Sequence, residues 1–381
     1  MRLPAEADVC VAGGGIMGLC AALALAEDGL GVVVLDGGGH SGSTTNAGSL
    51  HVQMQSRFIR LETPARVAAV KRHLPLYVRA VEEWRSLAAR LDTDIELVIE
   101  GGLMLAETRE QYAFLAAKCA EEQRLGLPVE MLDRAALDRL APWIGPAAIG
   151  AEFCAIEGKM NTLLANPAIE RAVRAAGAVL LKRTPVRTAR RDGAGFVVET
   201  AGGTLRCRQL VLAAGGETGR LAEMFGLRVP VVSEPLHMNV TEPVGVRITH
   251  LVQHADRQLT LKQARSGHVI IGGGRPASWA RGRPSVLRAS MEGNLALAMH
   301  IAPWLADARL LRSWGGVNAK TDGMPVLGEA PGEPGLFLAV AGDAGYSLGP
   351  ISGRLLAEVM TGRSPSYPIT DFTPARFARC R

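Results

Sequence analysis

Residues 7–36 read ADVCVAGGGIMGLCAALALAEDGLGVVVLD, and this stretch decides the fold. It predicts an apolar strand, a glycine-rich turn, a small-residue helix and a second apolar strand closed by an acid. The turn is Gly13-x-Gly15-x-x-Gly18, and Asp36 lies 23 positions beyond Gly13. Gly13 suits a tight turn off the strand, and Gly15 lets a pyrophosphate approach the backbone. Gly18 permits close helix–strand packing, while free N–H groups at the helix start, including those of Ile16 and Met17, face the anion. Asp36 then accepts hydrogen bonds from a ribose. The unit reads as a dinucleotide-binding βαβ.

Working outward, 381 residues imply about two domains with ample core. The apolar run Val9–Ala26 is no membrane span or leader by this reading. It contains four glycines, follows Asp8, is closed by Glu27 and Asp28, and has no basic n-region. A cytoplasmic protein is expected. The net charge of +5 comes from dispersed arginine, and aromatics are only 4% of residues, which argues against a nucleic-acid-binding face. The six cysteines form no CxxC pair or metal-ligand spacing, so no metal site is expected.

Residues 65–120 carry helical patterning, including YVRAVEEWRSLAARL, with short strands expected at Glu96–Ile99 and from Gly102. NTLLANPAIERAVRAAG reads as a helix ending at Gly177. Strands follow at Val179–Leu181, Phe196–Thr200 and Gln209–Ala213, then EPLHMNVTEP, RQLTLKQA and HVIIGGG. A helix is expected around Pro284–His300, and a final strand and helix in LFLAVAGDAG and ISGRLLAEVMTG. The expected division is 1–84, 151–227 and 313–381 in a dinucleotide domain, with 85–150 and 228–312 inserted as a second domain.

Four motifs together resemble the FAD-dependent amine oxidoreductases of the D-amino-acid oxidase, glycine oxidase and sarcosine oxidase family. They are VAGGGIMG with Asp36, GSTTNAGSLH (Gly42–His51), LVLAAGGETGRL (Leu210–Leu221) and FLAVAGDAGYSLGPISGRLLAE (Phe337–Glu358). The resemblance covers essentially the whole chain. It implies an α/β fold: a Rossmann-type FAD-binding domain with an inserted α+β substrate domain on a mostly antiparallel sheet. Within the family, NAGSLHVQMQS most resembles the B-type chains of opine oxidases. Heteromeric dehydrogenases of proline, hydroxyproline and glycine come next.

The resemblance assigns FAD to Gly13, Gly15, Ile16, Met17, Gly18 and Asp36. Ser43, Thr44, Thr45, Asn46, Ala47, Gly48 and Ser49 would wrap the ribityl chain and one flavin edge. Val186, expected on an internal strand, would meet the adenine, and Ala214 and Gly215 would close the turn beside it. Gly342, Asp343, Gly345, Tyr346, Gly349, Pro350 and Ile351 would present backbone dipoles to the flavin. Asp343 departs from the family's usual His or Gly.

The implied reaction removes hydride from a carbon next to a substrate nitrogen, giving an imine that water hydrolyses; the flavin carries the redox chemistry. Many relatives bind the substrate carboxylate with an arginine after a Trp-x-Gly strand. Here Trp314 to Asp322 contains no arginine. Lys262, Gln263 and His51 lead as replacements, with His237 and Lys320 behind them.

The oxygen-promoting lysine of monomeric sarcosine oxidases is replaced by Ile270, and no cysteine near Thr321 and Asp322 could attach flavin covalently. Noncovalent FAD, slow reaction with oxygen and partner subunits carrying iron–sulfur or second-flavin sites are therefore expected, with room for FMN at a subunit interface. A self-sufficient glycine or D-amino-acid oxidase is the alternative of the same fold. A noncatalytic scaffold and a nicotinamide dehydrogenase rank below it.

Overall fold

The computed structural model describes residues 2–39, 42–342 and 345–377. Strands Glu6–Ala12 and Val32–Leu35 become wholly buried along Val9–Ala12 and Val32–Leu35, as parallel strands covered on both faces must be. The first sheet runs, in space, Val326–Glu329, Leu336–Val340, Gly203–Leu212, Glu6–Ala12, Val32–Leu35 and Val179–Leu181. Four of its five junctions are parallel, and the edge strand Val326–Glu329 pairs antiparallel. Strands Thr188–Asp192 and Gly195–Thr200 extend it antiparallel from Gly203–Leu212.

On one face of this sheet, helices Ile16–Glu27, Leu74–Arg90, Thr162–Ala175 and Gly349–Met360 share one apolar core. Leu74–Arg90 buries Leu74, Leu76, Ala80, Val81, Trp84 and Leu87, the three-and-four spacing of a one-sided helix. Helices Ile16–Glu27 and Gly349–Met360 touch through their backbones. A Cβ on Gly353 would stand 2.4 Å from the Cys20 carbonyl carbon.

The second sheet runs Leu310–Lys320, Val232–Pro243, His268–Gly272, Thr260–Gln263, Leu251–His254, Gly102–Ala106, Gly150–Cys154 and Val129–Asp133. Only the Leu251–His254 and Gly102–Ala106 junction is parallel. The positions 151 and 313, expected as domain boundaries, both fall inside strands of this sheet. Strand pairing rather than nearby proline and glycine decides where those segments belong.

The other differences are local. Glu96–Ile99 forms no strand, only an isolated bridge from Val98 to Lys159. Val186 lies in the loop after Val179–Leu181, not on a strand, although it is buried. Pro284 sits in a two-stranded hairpin, Ser278–Ala280 with Arg283–Ser285, so the helix expected from Pro284 begins at Arg288. No described helix is long and apolar enough to cross a membrane.

Candidate active site

The dinucleotide turn is built by close approach. Gly13 holds φ of 132°, and a Cβ there would lie 2.2 Å from the Ala213 carbonyl oxygen. A Cβ on Gly18 would lie 2.0 Å from the Gly13 oxygen. The turn at Ala213, Ala214 and Gly215 therefore seats directly on the glycine turn. Helix Ile16–Glu27 receives no cap from its own N-cap residue, Gly15, and has no acid in its first turn, which favours an anion at its positive end. The Ile16 N–H donates to Ser43 Oγ at 2.8 Å. Asp36 lies against Gly14, where a Cβ would meet its Cγ at 2.7 Å, and its Oδ1 accepts from the Gly38 N–H. The loop carrying Val186 runs beside it, with Pro185 next to Gly37.

The loop Gly42–His51 is fixed from several sides. Asn166 donates to the Ser43 carbonyl, Thr162 to the Asn46 carbonyl, and the Trp314 indole to the Thr45 carbonyl. Asn46 Oδ1 accepts the Gly48 N–H, and Ser49 pairs with Lys159 in a short antiparallel ladder. Thr44 sits at its exposed turn, and Ala47 is half-buried. The His51 N–H donates to Ser347 Oγ at 3.1 Å, tying the loop to the C-terminal turn.

That turn carries Gly342 at φ of 63°, then Gly345 and the buried Tyr346. Tyr346 stacks on Trp84 at 5.4 Å and donates its hydroxyl to Asn166. Helix Gly349–Met360, with Pro350 and Ile351 in its first turn, also starts without a side-chain cap or acid. A Cβ on Gly349 would stand 2.5 Å from Ile16 Cγ1, so two uncapped helix starts meet. Asp343 lies outside the described residues. Glycines packed tightly onto neighbouring backbone and paired positive helix ends suit an extended dinucleotide, and FAD fits this chain.

Beside Gly48 stands Lys262, on strand Thr260–Gln263. It is 3% exposed, and its Nζ has no hydrogen-bond partner among the described residues. A Cβ on Gly48 would lie 3.2 Å from that Nζ. Burial, and then Lys159, hold the Lys262 ammonium well below the usual lysine range. His51 Nδ1 is likewise buried and unpartnered among the described residues. Burial first and Lys262 second bring His51 down to about 4, so the imidazole is neutral at pH 7. Lys262 is directly across from Ile270 in the strand register, which puts both side chains on one face.

The remaining candidates separate cleanly. Gln263 spends its Oε1 on the Arg247 and Ile248 N–H groups and its Nε2 on the Val244, Gly245 and Gly267 carbonyls. It staples a loop. His237 is fully buried, its Nε2 3.0 Å from Asn239 Oδ1. Lys320 is 43% exposed and pairs with Glu234 on the surface. Neither His237 nor Lys320 is among the groups that bear on Lys262 or His51.

Sequence reasoning missed a second buried cluster. Lys118 Nζ lies 2.7 Å from Glu152 Oε2 and 3.0 Å from Glu122 Oε1. Glu122 accepts the Met54 N–H, and Glu157 accepts those of Val52 and Gln53. Gln53 Nε2 and Gln253 Nε2 complete Glu157. Carboxylates from distant elements thus hold three consecutive backbone N–H groups just beyond His51. Burial pushes Glu157 up to about 7, against those donors. Burial, with Glu122 adding to it and Lys118 opposing it, brings Glu152 to about 8. The clue in sequence is Gly102, where a Cβ would collide with Glu157 Oε2 at 1.9 Å.

Residues 8–359 match the family model described as FAD dependent oxidoreductase (DAO). The chain is 28% identical over 382 residues to a glycine oxidase of Geobacillus kaustophilus, covering 97% of each protein. It is 27% identical over 389 residues to the opine oxidase B-type chain of Agrobacterium tumefaciens, covering 98% of each. The crystal structure of glycine oxidase from Geobacillus kaustophilus superposes with a TM-score of 0.88 at 25% identity, covering 98% of this chain and 99% of that one. With both helix starts, the glycine cradle and a family match over nearly the full length, the chain belongs to the FAD-dependent oxidoreductases of the DAO family.

Proposed function

We propose that the protein oxidises the C–N bond of a secondary amine or amino acid, as the catalytic beta chain of a heteromeric opine dehydrogenase of the octopine or nopaline type. The observation that carries the substrate side is Lys262, a buried amine with no partner among the described residues, facing the loop that would border the flavin. A buried cation without a counter-ion is costly, and a substrate carboxylate relieves that cost. Lys262 thus stands in for the arginine missing between Trp314 and Asp322.

FAD held by the Gly13–Gly18 turn and Asp36 would supply the acceptor for a hydride from the carbon beside the substrate nitrogen. The chain's part is to bind and orient. Lys262 holds the carboxylate, and His51, neutral and anchored through its N–H to Ser347, borders the same space. The uncapped start of Gly349–Met360 offers positive backbone dipoles where negative charge develops. The resulting imine is hydrolysed by water to a carbonyl compound and the free amine. In this reading the first sheet and its helices form the FAD-binding domain and the second sheet the substrate domain.

Two relatives named as parts of larger enzymes, the opine oxidase B-type chain and the sarcosine oxidase beta chain, support a multi-subunit enzyme. Partner subunits would then carry iron–sulfur or second-flavin sites and take the electrons. FMN at a subunit interface belongs to that assembly, and no described residue of this chain is assigned to it.

The test is a visible spectrum of the purified protein, then anaerobic addition of octopine, nopaline, proline, sarcosine, glycine and D-alanine. Bleaching of the flavin band by an opine is expected. A flavin that none of these compounds bleaches overturns the reading. Admitting air then separates dehydrogenase from oxidase. Slow reoxidation is expected, whereas rapid stoichiometric peroxide gives the self-sufficient oxidase. One observation favours that second reading: Lys262 shares a face with Ile270, so the face lacking a lysine at 270 still carries an ammonium.

A further inference from the structure

The segment Gly48–Gln53 is gripped rung by rung by residues 157–160. The Met160 N–H donates to the Gly48 carbonyl at 2.8 Å, and Lys159 and Gly158 pair with Ser49 and Leu50. That ladder stops at Leu50, and beyond it the Glu157 side chain takes over. Its Oε1 accepts the Val52 N–H at 2.8 Å and the Gln53 N–H at 3.1 Å. His51 lies between the ladder and this carboxylate, and its own N–H goes to Ser347 Oγ at 3.1 Å. Ser347 belongs to the turn that leads into helix Gly349–Met360. Glu157 is thereby linked, through Val52 and His51, to both segments that would border the flavin.

Every hydrogen-bond partner of the Glu157 carboxylate among the described residues is a donor. Gln53 gives its Nε2–H to Oε2 at 3.0 Å and accepts from Lys118 on its Oε1 at 3.4 Å. Gln253 gives its Nε2–H to Oε2 at 3.3 Å and accepts from Gln55 on its Oε1. Both amides are oriented by what they accept, each with its donor end toward Glu157. Two backbone and two side-chain N–H groups thus converge on one fully buried group. Such an arrangement wants an ionised acceptor, and charge-assisted bonds of this kind are roughly twice as strong as neutral ones.

We infer that Glu157 is a positioning residue of the active site: its carboxylate holds Val52 and Gln53, and through them His51 and Ser347, in place against the flavin. This rests on the flavin placement proposed above and not on which amine is oxidised. Burial, the largest influence, raises the Glu157 carboxyl to about 7, and its donors and Lys118 oppose that. Lys118 and Cys154 are the titratable groups coupled to it directly, and Glu122 and Glu152 stand behind Lys118. His51 stays neutral down to about 4. A proton on Glu157 replaces charge-assisted bonds by neutral ones and loosens residues 52 and 53.

The experiment follows the FAD-loaded protein from about pH 6 to about pH 8.5. Hydrogen exchange of residues 48–54, corrected for the intrinsic rate, reads the grip, and visible circular dichroism of the bound flavin reads its surroundings. In the unaltered protein, protection of Val52 and Gln53 should fall at least about 10-fold toward low pH. The flavin signal should change with a midpoint of about 7. Glu157→Gln keeps the shape and removes the charge, so protection should stay low at every pH and the flavin midpoint should vanish. Glu152→Gln alters the same buried cluster at a residue with no bond to Val52 or Gln53. It should leave both responses within about 2-fold of the parent. Unchanged protection in Glu157→Gln overturns the inference, and so does a flavin midpoint that survives it. Loss of protection without any flavin response also overturns it, because Glu157 would then clamp the loop with no effect on the site. Where Glu157→Gln does not fold, the unaltered protein decides by pH alone, and the absence of either response overturns the inference. Bleaching by amines is scored separately on the unaltered protein, so the proposed function and this inference can each fail alone.

Discussion

Two buried clusters of charge flank the stretch Leu50–Met54, and they are built on opposite principles. Around Lys118 every ammonium hydrogen has an acceptor, and the carboxylates of the cluster also pin the backbone of residues 52–54. Around Lys262 there are a neutral imidazole and a second lysine, Lys159, and the Lys262 nitrogen has no partner among the described residues. In the first cluster the cation is matched by the chain's own acceptors, although Glu122 Oε2 and Glu152 Oε1 have no partner among the described residues. The second is finished only by something brought from outside. A buried charge therefore reports its role through its partners, not through its burial.

The largest expected effect tests that distinction through stability. Removing the cation from the complete cluster with Lys118→Met leaves Glu122 and Glu152 facing each other, and should cost about 3–5 kcal/mol of folding stability. The same change at the open cluster, Lys262→Met, should be neutral or stabilising, because it removes a buried polar nitrogen that has no partner among the described residues. Denaturant unfolding of the two variants reads the difference. Equal losses would erase the comparison.

Next comes function. Lys262→Met should weaken binding of carboxylate substrates by about 100-fold while leaving the FAD absorbance spectrum of the loaded protein in place. Anaerobic flavin titration reads both quantities at once. An unchanged substrate affinity would remove Lys262 from the site.

Changing pH should move the two clusters in opposite directions. Glu157 and Glu152 are raised in the folded state, to about 7 and about 8. Their contribution to stability is full below the unfolded carboxyl range and is lost as pH rises through 7 to 8. Lys159 is lowered to about 8 by burial, so its effect has the opposite sign. The folded state is penalised below pH 8 and gains stability as pH climbs toward the unfolded lysine value. Glu100, His250 and Lys262 are the titratable groups around it. Thermal midpoints from about pH 6 to about 9 follow the two trends. The smallest effect belongs to Lys320→Ala, which breaks only a surface pair and should change stability by less than about 0.5 kcal/mol and activity not at all.

The cofactor cradle was readable in sequence because its chemistry is local. Gly13, Gly18 and Asp36 sit within one βαβ unit, and the glycine spacing and the closing acid can be read off a single short stretch. The substrate side was only half readable. Lys262 and Gln263 stand next to each other in LTLKQA, and no sequence pattern says which faces the loop. Strand alternation gives one to each face, and Gln263 proves to hold loop backbone. Lys159, Glu122 and Glu157 were invisible for a different reason. Their roles arise from pairings across the chain, such as Ser49 with Lys159 and Met54 with Glu122. The expected strand at 96–99 failed similarly, since only Val98 finds a strand-type partner. Val186 was placed near Asp36 but on a loop, and its part in binding adenine stays with the proposed cofactor contacts.

The packing of the first helix on the last one has a consequence for how the protein is made. Strand Glu6–Ala12 needs Gly203–Leu212 beside it, that strand needs Leu336–Val340, and Gly353 locks onto Cys20. The residues that would grip the pyrophosphate are synthesised roughly 300 residues before the helix that backs them. During translation the glycine turn must wait, exposed, for roughly 300 further residues to emerge. Cofactor capture is therefore a late event in the life of the chain, and its apolar first helix is the segment most in need of protection until then.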